Sequence, residues 1–285
     1  MNIVTVTCER DLNQLLIQTE SISKFVDSCC HWIVVNEPNF DYSKWYNLLS
    51  PYYTSHTLKI ISFDHKEWIS SEDEYPGYLL QQLYKFLVFD VIQDSYLILD
   101  SKNFFIKDID INYYKKKQNL GYVENYPIKL YQEMLEDYSK ILSVEPIQKQ
   151  LSMITPFLFE EGILKTLSKD ILHKIFISRK KQFTSEFYLY SLMCQKNNRT
   201  FTEDEKINNH FGFWGWSEPF SDWKQYNNQQ IKSISMHRIW LYENLKEFSQ
   251  INEWLRTLGF KNELDPDKLN LSNEANWKDT IKRYN

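Results

Sequence analysis

The chain has 285 residues, 42% of them apolar and 25% charged, which is ordinary globular usage and enough length to bury a large core. A formal charge of −5 and a pI near 5.8 exclude the basic footprint of a general nucleic-acid binder. No run of about 18 apolar residues occurs, so no transmembrane helix is expected, and Met1–Thr7 lacks the basic and long apolar regions of a signal peptide.

The four cysteines, Cys8, Cys29, Cys30 and Cys194, fit no zinc spacing, and a chain of this length needs no disulfide staples. A reduced, cytoplasmic protein is the expectation. Aromatics reach 16% with nine tryptophans, and large rings serve mostly as core. Only six glycines are present, the first at Gly77. Neither a Walker-type loop nor a GxGxxG turn can therefore be built in the first 76 residues. A phosphate ester bound there must be held another way.

Ile3 to Thr7 is a β-branched run and reads as a strand. Asp11 is placed to cap a following helix, in which Leu12, Leu15, Leu16, Ile22, Phe25 and Val26 recur at helical spacing. Trp32–Val35 and Leu58–Phe63 read as two further strands. Gly77 to Ile92 reads as a helix, and Tyr96–Leu99 as a fourth strand that delivers Asp100. Apolar strands alternating with helices predict an α/β fold with a mostly parallel sheet covered on both faces. Ligands of such sheets bind beyond the carboxyl ends of the strands. The polar residues placed there are Cys8-Glu9-Arg10-Asp11, Asn36-Glu37, Asp64-His65 and Asp100-Ser101-Lys102-Asn103.

On the helix from Gly77, residues Gln81, Gln82 and Lys85 share one face, and Leu79, Leu83, Phe86 and Leu87 lie opposite. That face suits amide contacts and a phosphate charge, or it is an ordinary solvated face. Beyond residue 125 the pattern changes. Leu151–Phe157 reads as a strand or extended entry to the site, and Glu161–Phe176 as a helix followed by the basic patch Arg179-Lys180-Lys181. Thr184 or Ser185 is a candidate cap for the next helix. The glycine- and aromatic-rich stretch His210–Pro219 reads as a shaped loop, and Lys115-Lys116-Lys117 as a solvated one. No repeat or low-complexity linker separates a first half, residues 1–125, from a second, residues 126–285, and the two are expected to pack as one unit.

Val4-Thr5-Val6-Thr7 with Arg10-Asp11, Ser21-Ile22-Ser23-Lys24-Phe25, Gln81-Gln82-x-x-Lys85, Leu99-Asp100-Ser101 and Ser185-Glu186-Phe187-x-Leu189-Tyr190 form an ordered set over roughly residues 1 to 240. In that order the chain resembles GT-A type glycosyltransferases, especially small bacterial and viral members. The resemblance implies a nucleotide-sugar (donor) half followed by an acceptor-binding half with C-terminal helices. It implies transfer of a sugar from a nucleoside-diphosphate donor to a hydroxyl acceptor such as a glycan. Thr5, Thr7, Arg10, Asn36, Asp64, Gln81, Gln82, Lys85, Asp100, Ser101 and Lys102 are the candidate donor-binding residues. Asp100 and Glu186 are the candidate catalytic residues, and Trp214 and Trp216 the candidate acceptor platform.

In the family, an Asp-x-Asp motif at this strand end holds a divalent metal, Mn2+ or Mg2+, that bridges the diphosphate. Here the second aspartate is replaced by Lys102. Three readings follow: a weakened metal site on Asp100 helped by Asn103 or a late histidine (His210 or His237), a phosphate charge offset by Lys102 itself, or loss of activity. Each histidine also has a purely structural reading. Glu186 matches the family's Ser-Glu pair and could accept the proton of the attacking hydroxyl, or it is a helix-terminal glutamate favoured by the helix dipole. The alternative to a transferase is a non-catalytic nucleotide-sugar or carbohydrate-binding protein derived from one. A nucleotidyltransferase is disfavoured by the missing N-terminal glycine loop.

Overall fold

The computed structural model describes residues 1–37, 39–64, 77–110, 114, 129–146, 155–178, 184–199, 210–213, 219–220 and 231–269. Its centre is a five-stranded sheet. Strands β1 (Asn2–Thr7), β2 (Cys30–Val35), β3 (Thr57–Ile61) and β4 (Tyr96–Asp100) run parallel, and β6 (Phe157–Phe159) runs antiparallel on the edge beside β4. The order is β3-β2-β1-β4-β6. The fold is thus mixed α/β with a mostly parallel, helix-flanked sheet, as the strand–helix alternation predicts.

This order fixes where a ligand can sit. From β1 the chain moves outward through β2 to β3, then returns to lay β4 on the other side of β1. The direction of progression reverses between β1 and β4, and a crevice opens beyond their carboxyl ends at such a point. Asp100, the last residue of β4, pairs in register with Val6, one position before the end of β1.

Helix α1 (Leu12–Phe25) makes the first crossover, followed by α2 (Tyr42–Leu49), α3 (Gly77–Leu87) and α4 (Phe89–Ile92). One face of the sheet is covered by a core drawing Val4, Val6, Tyr96, Ile98 and Phe159 together with α3, α5 (Lys129–Leu142), α7 (Lys169–Ser178) and α8 (Glu186–Lys196). Phe159 and Tyr190 stack with ring centroids 4.6 Å apart. On the other face Ile3, Ile22, Leu97, Leu99 and Leu158 form a second cluster.

A smaller three-stranded sheet, β5-β8-β7, uses β5 (Asn103–Phe105), β7 (His210–Phe213) and β8 (Ser233–Met236). β5 pairs antiparallel with β8, and β7 parallel with β8. This sheet packs with α9 (Arg238–Glu243) and α10 (Phe248–Thr257) around Trp240, Trp254, Phe213 and Phe220. The expected boundary near residue 125 is crossed twice by strand pairing, at β4–β6 and at β5–β8.

Several local expectations need correction. Asp11 occupies the cap position of α1 without a side-chain cap bond; the 3-10 turn Glu9–Asp11 precedes the helix, and the carboxylate instead pairs with Arg238 at 3.5 Å. The long helix from Gly77 is split at Val88 into α3 and α4. The helix over Glu161–Phe176 is likewise two, α6 (Glu161–Leu164) and α7. Ser185 precedes α8 in extended conformation without a side-chain cap bond. His210–Phe213 is a strand rather than loop, because its partner β8 lies more than 20 residues away where local pattern cannot see it. Residues 115–117, 151–154 and 179–181, together with Trp214 and Trp216, lie outside the described residues. All four cysteines are free thiols. Among the described residues no helix is long and apolar enough to cross a membrane.

Candidate functional site

At the carboxyl end of β4 the chain turns through Asp100-Ser101-Lys102-Asn103 into β5. The turn is held from within. The Asp100 amide donates to Asn103 Oδ1 at 2.6 Å, and Asn103 Nδ2 donates to the Thr155 carbonyl at 3.2 Å. Gln18, from α1, donates both protons of its amide, one to the Asp100 carbonyl at 2.6 Å and one to the Asn103 carbonyl at 3.0 Å.

Both oxygens of the Asp100 carboxylate are engaged. Oδ1 accepts from Lys85 Nζ at 2.9 Å; Oδ2 accepts from Lys102 Nζ at 3.0 Å and from Thr155 Oγ1 at 3.2 Å. Burial alone would raise its proton affinity, but the ammonium groups of Lys102 and Lys85 outweigh it and hold the carboxyl well below the usual range. Lys85, only 2% exposed, also donates to Glu186 Oε1 at 2.5 Å. Burial opposes its charge, and the two carboxylates more than restore it, so its proton is held more tightly than that of a free lysine. Glu186, equally buried at 2%, is raised by burial and by the neighbouring Asp100 charge, against the pull of Lys85. With its amide oriented to donate, Gln82 gives an N–H to the same carboxylate, 2.7 Å from Oε1.

The solvated-face reading of α3 is therefore overturned for Gln82 and Lys85. Both are buried because the helix packs on nearly its whole circumference. Gln81 is half-buried and donates to the Val6 carbonyl at 3.3 Å. Of the other predicted residues, Asp100, Ser101, Lys102, Gln82, Lys85 and Glu186 come together, and Thr7 closes β1 beside them with its hydroxyl on the Cys8 carbonyl at 3.5 Å. Thr5 does not reach the crevice: it is fully buried in mid-sheet, donating to Gln18 Oε1 at 2.7 Å with His31 Nε2 at 2.9 Å. Asn36 ties β2 to α3 through the Gly77 carbonyl at 2.8 Å, Asp64 lies past β3, and Arg10 is exposed beside Asp11 at 3.8 Å.

His210 and His237 stand on β7 and just past β8, near enough to Lys102 and Asp100 to feel both charges. Burial, reinforced by Lys102, pushes His210 down to about 3 and His237 well below the ordinary imidazole value, so both are neutral. His210 Nδ1 contacts Ser233 Oγ at 2.9 Å, and its Nε2 is a buried atom without a partner.

The residues present do not fit a two-carboxylate metal site. Both Asp100 oxygens are taken by ammonium donors, and a divalent cation there would face two positive charges. Among the described residues no group of three or more His, Cys, Asp and Glu side chains could hold a metal ion. Asp100 with His237 alone falls short of the oxygen-rich shell such cations take.

A family model described as "Family of unknown function (DUF6492)" matches residues 3–258. The chain belongs to that family. No curated protein matches the sequence. Solved structures with a related arrangement include the WbbM bifunctional glycosyltransferase in its apo form, with 11% identity over 82% of this chain and 45% of that one, at a TM-score of 0.46. The mannosyltransferase Ktr4p from S. cerevisiae in complex with GDP shares 9% identity over 67% and 65% of the two chains, TM-score 0.45. The galactosyltransferase LgtC in complex with donor and acceptor sugar analogues shares 9% over 83% and 87%, TM-score 0.47. The chain spans less than half the length of WbbM and just under two thirds of Ktr4p.

Proposed function

We propose that this protein is a glycosyltransferase that moves a sugar from a nucleoside-diphosphate donor to a hydroxyl acceptor, with Lys102 supplying the positive charge that a metal supplies where the motif is Asp-x-Asp. The supporting observation is the Asp100 carboxylate at the switch point between β1 and β4, locked between Lys85 and Lys102. The Val-Thr-x-Thr, Gln-Gln-x-x-Lys and Ser-Glu motifs that carry the resemblance add to it.

In this reading the bond between the anomeric carbon and the diphosphate oxygen breaks as the acceptor oxygen bonds to that carbon, and the acceptor's hydroxyl proton passes to the departing diphosphate or to water. Negative charge grows on the departing diphosphate, and a fixed cation there is worth most where water is excluded. Lys102, its side chain 26% exposed, is the cation of the cluster that faces solvent, whereas Lys85 at 3% is sealed behind Asp100. Lys102 binds the diphosphate as a point charge, and Asp100 Oδ2, 3.0 Å from its Nζ, holds the ammonium in place. Glu186 acts through Lys85 rather than on the acceptor. Its carboxylate is sealed and occupied by Lys85 and Gln82, and a general base must lie within hydrogen-bond reach of the proton it takes.

The test is hydrolysis and transfer of a panel of nucleotide sugars, each with EDTA or with manganese, by the wild type and by Lys102→Asp. Turnover that survives EDTA in the wild type and becomes manganese-dependent in the variant is expected. An unchanged metal response in Lys102→Asp removes the charge-replacement idea. Binding without turnover across the panel favours the second reading, a non-catalytic nucleotide-sugar-binding protein, which the Lys102 substitution itself motivates.

A further inference from the structure

Among the buried polar residues of helix α1, Gln14, Gln18 and Ser21 stand one and two turns apart, each at most 1% exposed. Such spacing lines them along one helix face. Each is bonded to a backbone segment that frames the site. Gln14 donates to the Met236 carbonyl at 2.8 Å, next to His237. Ser21 Oγ donates to the Gln18 carbonyl at 2.7 Å and accepts from the Phe105 amide at 3.1 Å. Gln18 holds the carbonyls of Asp100 and Asn103, the two ends of the turn that displays Lys102.

We infer that Gln18 is a positioning residue that sets the shape of the Asp100–Asn103 turn and thereby the placing of Lys102, backed by a hydrogen-bonded strut through the sheet.

Proton bookkeeping supports a defined, directional strut. Both Gln18 amide protons are spent on the turn, so its Oε1 is the free acceptor, and it takes the single Thr5 hydroxyl proton at 2.7 Å. Thr5 Oγ1 then has only acceptor capacity left for His31 Nε2 at 2.9 Å, which must carry the imidazole proton. His31 Nδ1 is thereby an acceptor and receives the Tyr53 hydroxyl at 2.5 Å. Burial holds His31 neutral, down to about 3, as this tautomer requires. From His31 through Thr5 to Gln18 each proton has one acceptor toward the turn, while the Tyr53 hydroxyl at the far end also stands 3.4 Å from Thr19 Oγ1. Rotating Gln18, Thr5 or His31 orphans a buried partner, the costly outcome for polar groups away from water. An ordinary core glutamine needs none of this; a residue with two donors and one acceptor is what a turn with two inward carbonyls and a hydroxyl behind it demands.

The test compares wild type, Gln18→Met (similar length, no hydrogen bonding) and Ile17→Val, a neighbouring core change on the same helix. Crystal structures without ligand give the Lys102 Nζ–Asp100 separation. Titration calorimetry with UDP and GDP in EDTA gives affinity, and thermal denaturation matches the variants for stability. In Gln18→Met the Lys102–Asp100 pair is expected to open and nucleoside-diphosphate affinity to fall at least tenfold, with both unchanged in Ile17→Val at a similar loss of stability. An intact pair in Gln18→Met overturns the inference, as does an open pair with undiminished affinity, or the same affinity loss in Ile17→Val. The affinity arm rests on the donor-site reading of the turn. If wild type binds neither nucleotide, that reading loses its support, and the pair separation alone decides whether Gln18 positions the turn.

Discussion

Lys85 is a charge with no route to water, and its surroundings explain why the fold tolerates it. Two carboxylates within 2.9 Å return the solvation it loses, and Gln82 satisfies the far side of Glu186. Such a group adds little net stability against an apolar replacement of the whole set, but removing one member strands the rest. Lys85→Met should therefore cost about 3–5 kcal/mol in urea unfolding at neutral pH. The pH dependence follows from Glu186, whose folded-state proton affinity is already raised and rises further without Lys85. A raised carboxyl binds its proton more readily folded than unfolded, so the penalty grows as pH rises above the ordinary carboxylate range and shrinks as pH falls toward it. Adding Glu186→Gln to Lys85→Met should recover part of the loss by discharging the stranded group. A single variant within about 1 kcal/mol of wild type, well inside ordinary substitution effects, would count against the cluster as drawn.

At the scale of elements, α1 is the one whose role changed most between sequence and structure. Its apolar residues marked it as a helix against the sheet, and Leu15 and Ile22 are indeed buried. Its polar residues carried no such signal, since glutamines and serines at helical spacing describe a solvated face equally well. Only the return of β5 and β8 against that face turns it into a set of struts, and those contacts span more than 200 residues for Gln14. The same reason hid β6, β7 and β8, which hold three or four residues each and exist through distant partners. By contrast β1 to β4 were legible because each is rich in apolar and β-branched residues and polar residues stand at or just past its end, and Asp100 was legible as the residue such a strand delivers. The burial of Lys85 was not: a lysine on a helix is read as solvated until its carboxylates are known.

The strut also sets an acid sensitivity. His31 is neutral in the fold, down to about 3 against an ordinary 6.5. The unfolded chain therefore binds one more proton than the fold between those values, and stability must fall as pH drops from about 6.5 toward 3. His210 and His237 act in the same direction. Replacing His31 with Gln should flatten the slope of unfolding free energy between pH 6 and 4.5 by roughly 1.4 kcal/mol per pH unit, the weight of one proton. An unaltered slope, measured by urea unfolding at matched ionic strength, would show that His31 titrates normally.

For the whole molecule the decisive fact is that strand pairing interlocks the two halves. β6, from the second half, covers the edge of β4, and β5, from the first, is the edge strand of a sheet otherwise made of β7 and β8. Helix α1 belongs to both: Ile22 sits in the core under the main sheet and Ile17 in the core around Trp240. Glu20 adds a latch, its carboxylate accepting from the Lys261 and Asn262 amides at 2.6 and 2.9 Å. If either half unfolded alone, β4 or β8 would present an unpaired edge, and half of α1 would expose apolar surface. Each is unfavourable enough to make partial unfolding rare. Calorimetry of the full chain should therefore give one transition, with the van't Hoff enthalpy equal to the calorimetric one. Glu20→Ala should lower the midpoint of that single transition without splitting it. Two resolved transitions, one of them selectively lowered by Glu20→Ala, would instead mean that the five-stranded sheet and the β5-β8-β7 layer are separate cooperative units. In that case Lys102, in the two-residue connection between the two sheets, would sit on a hinge rather than on a fixed platform.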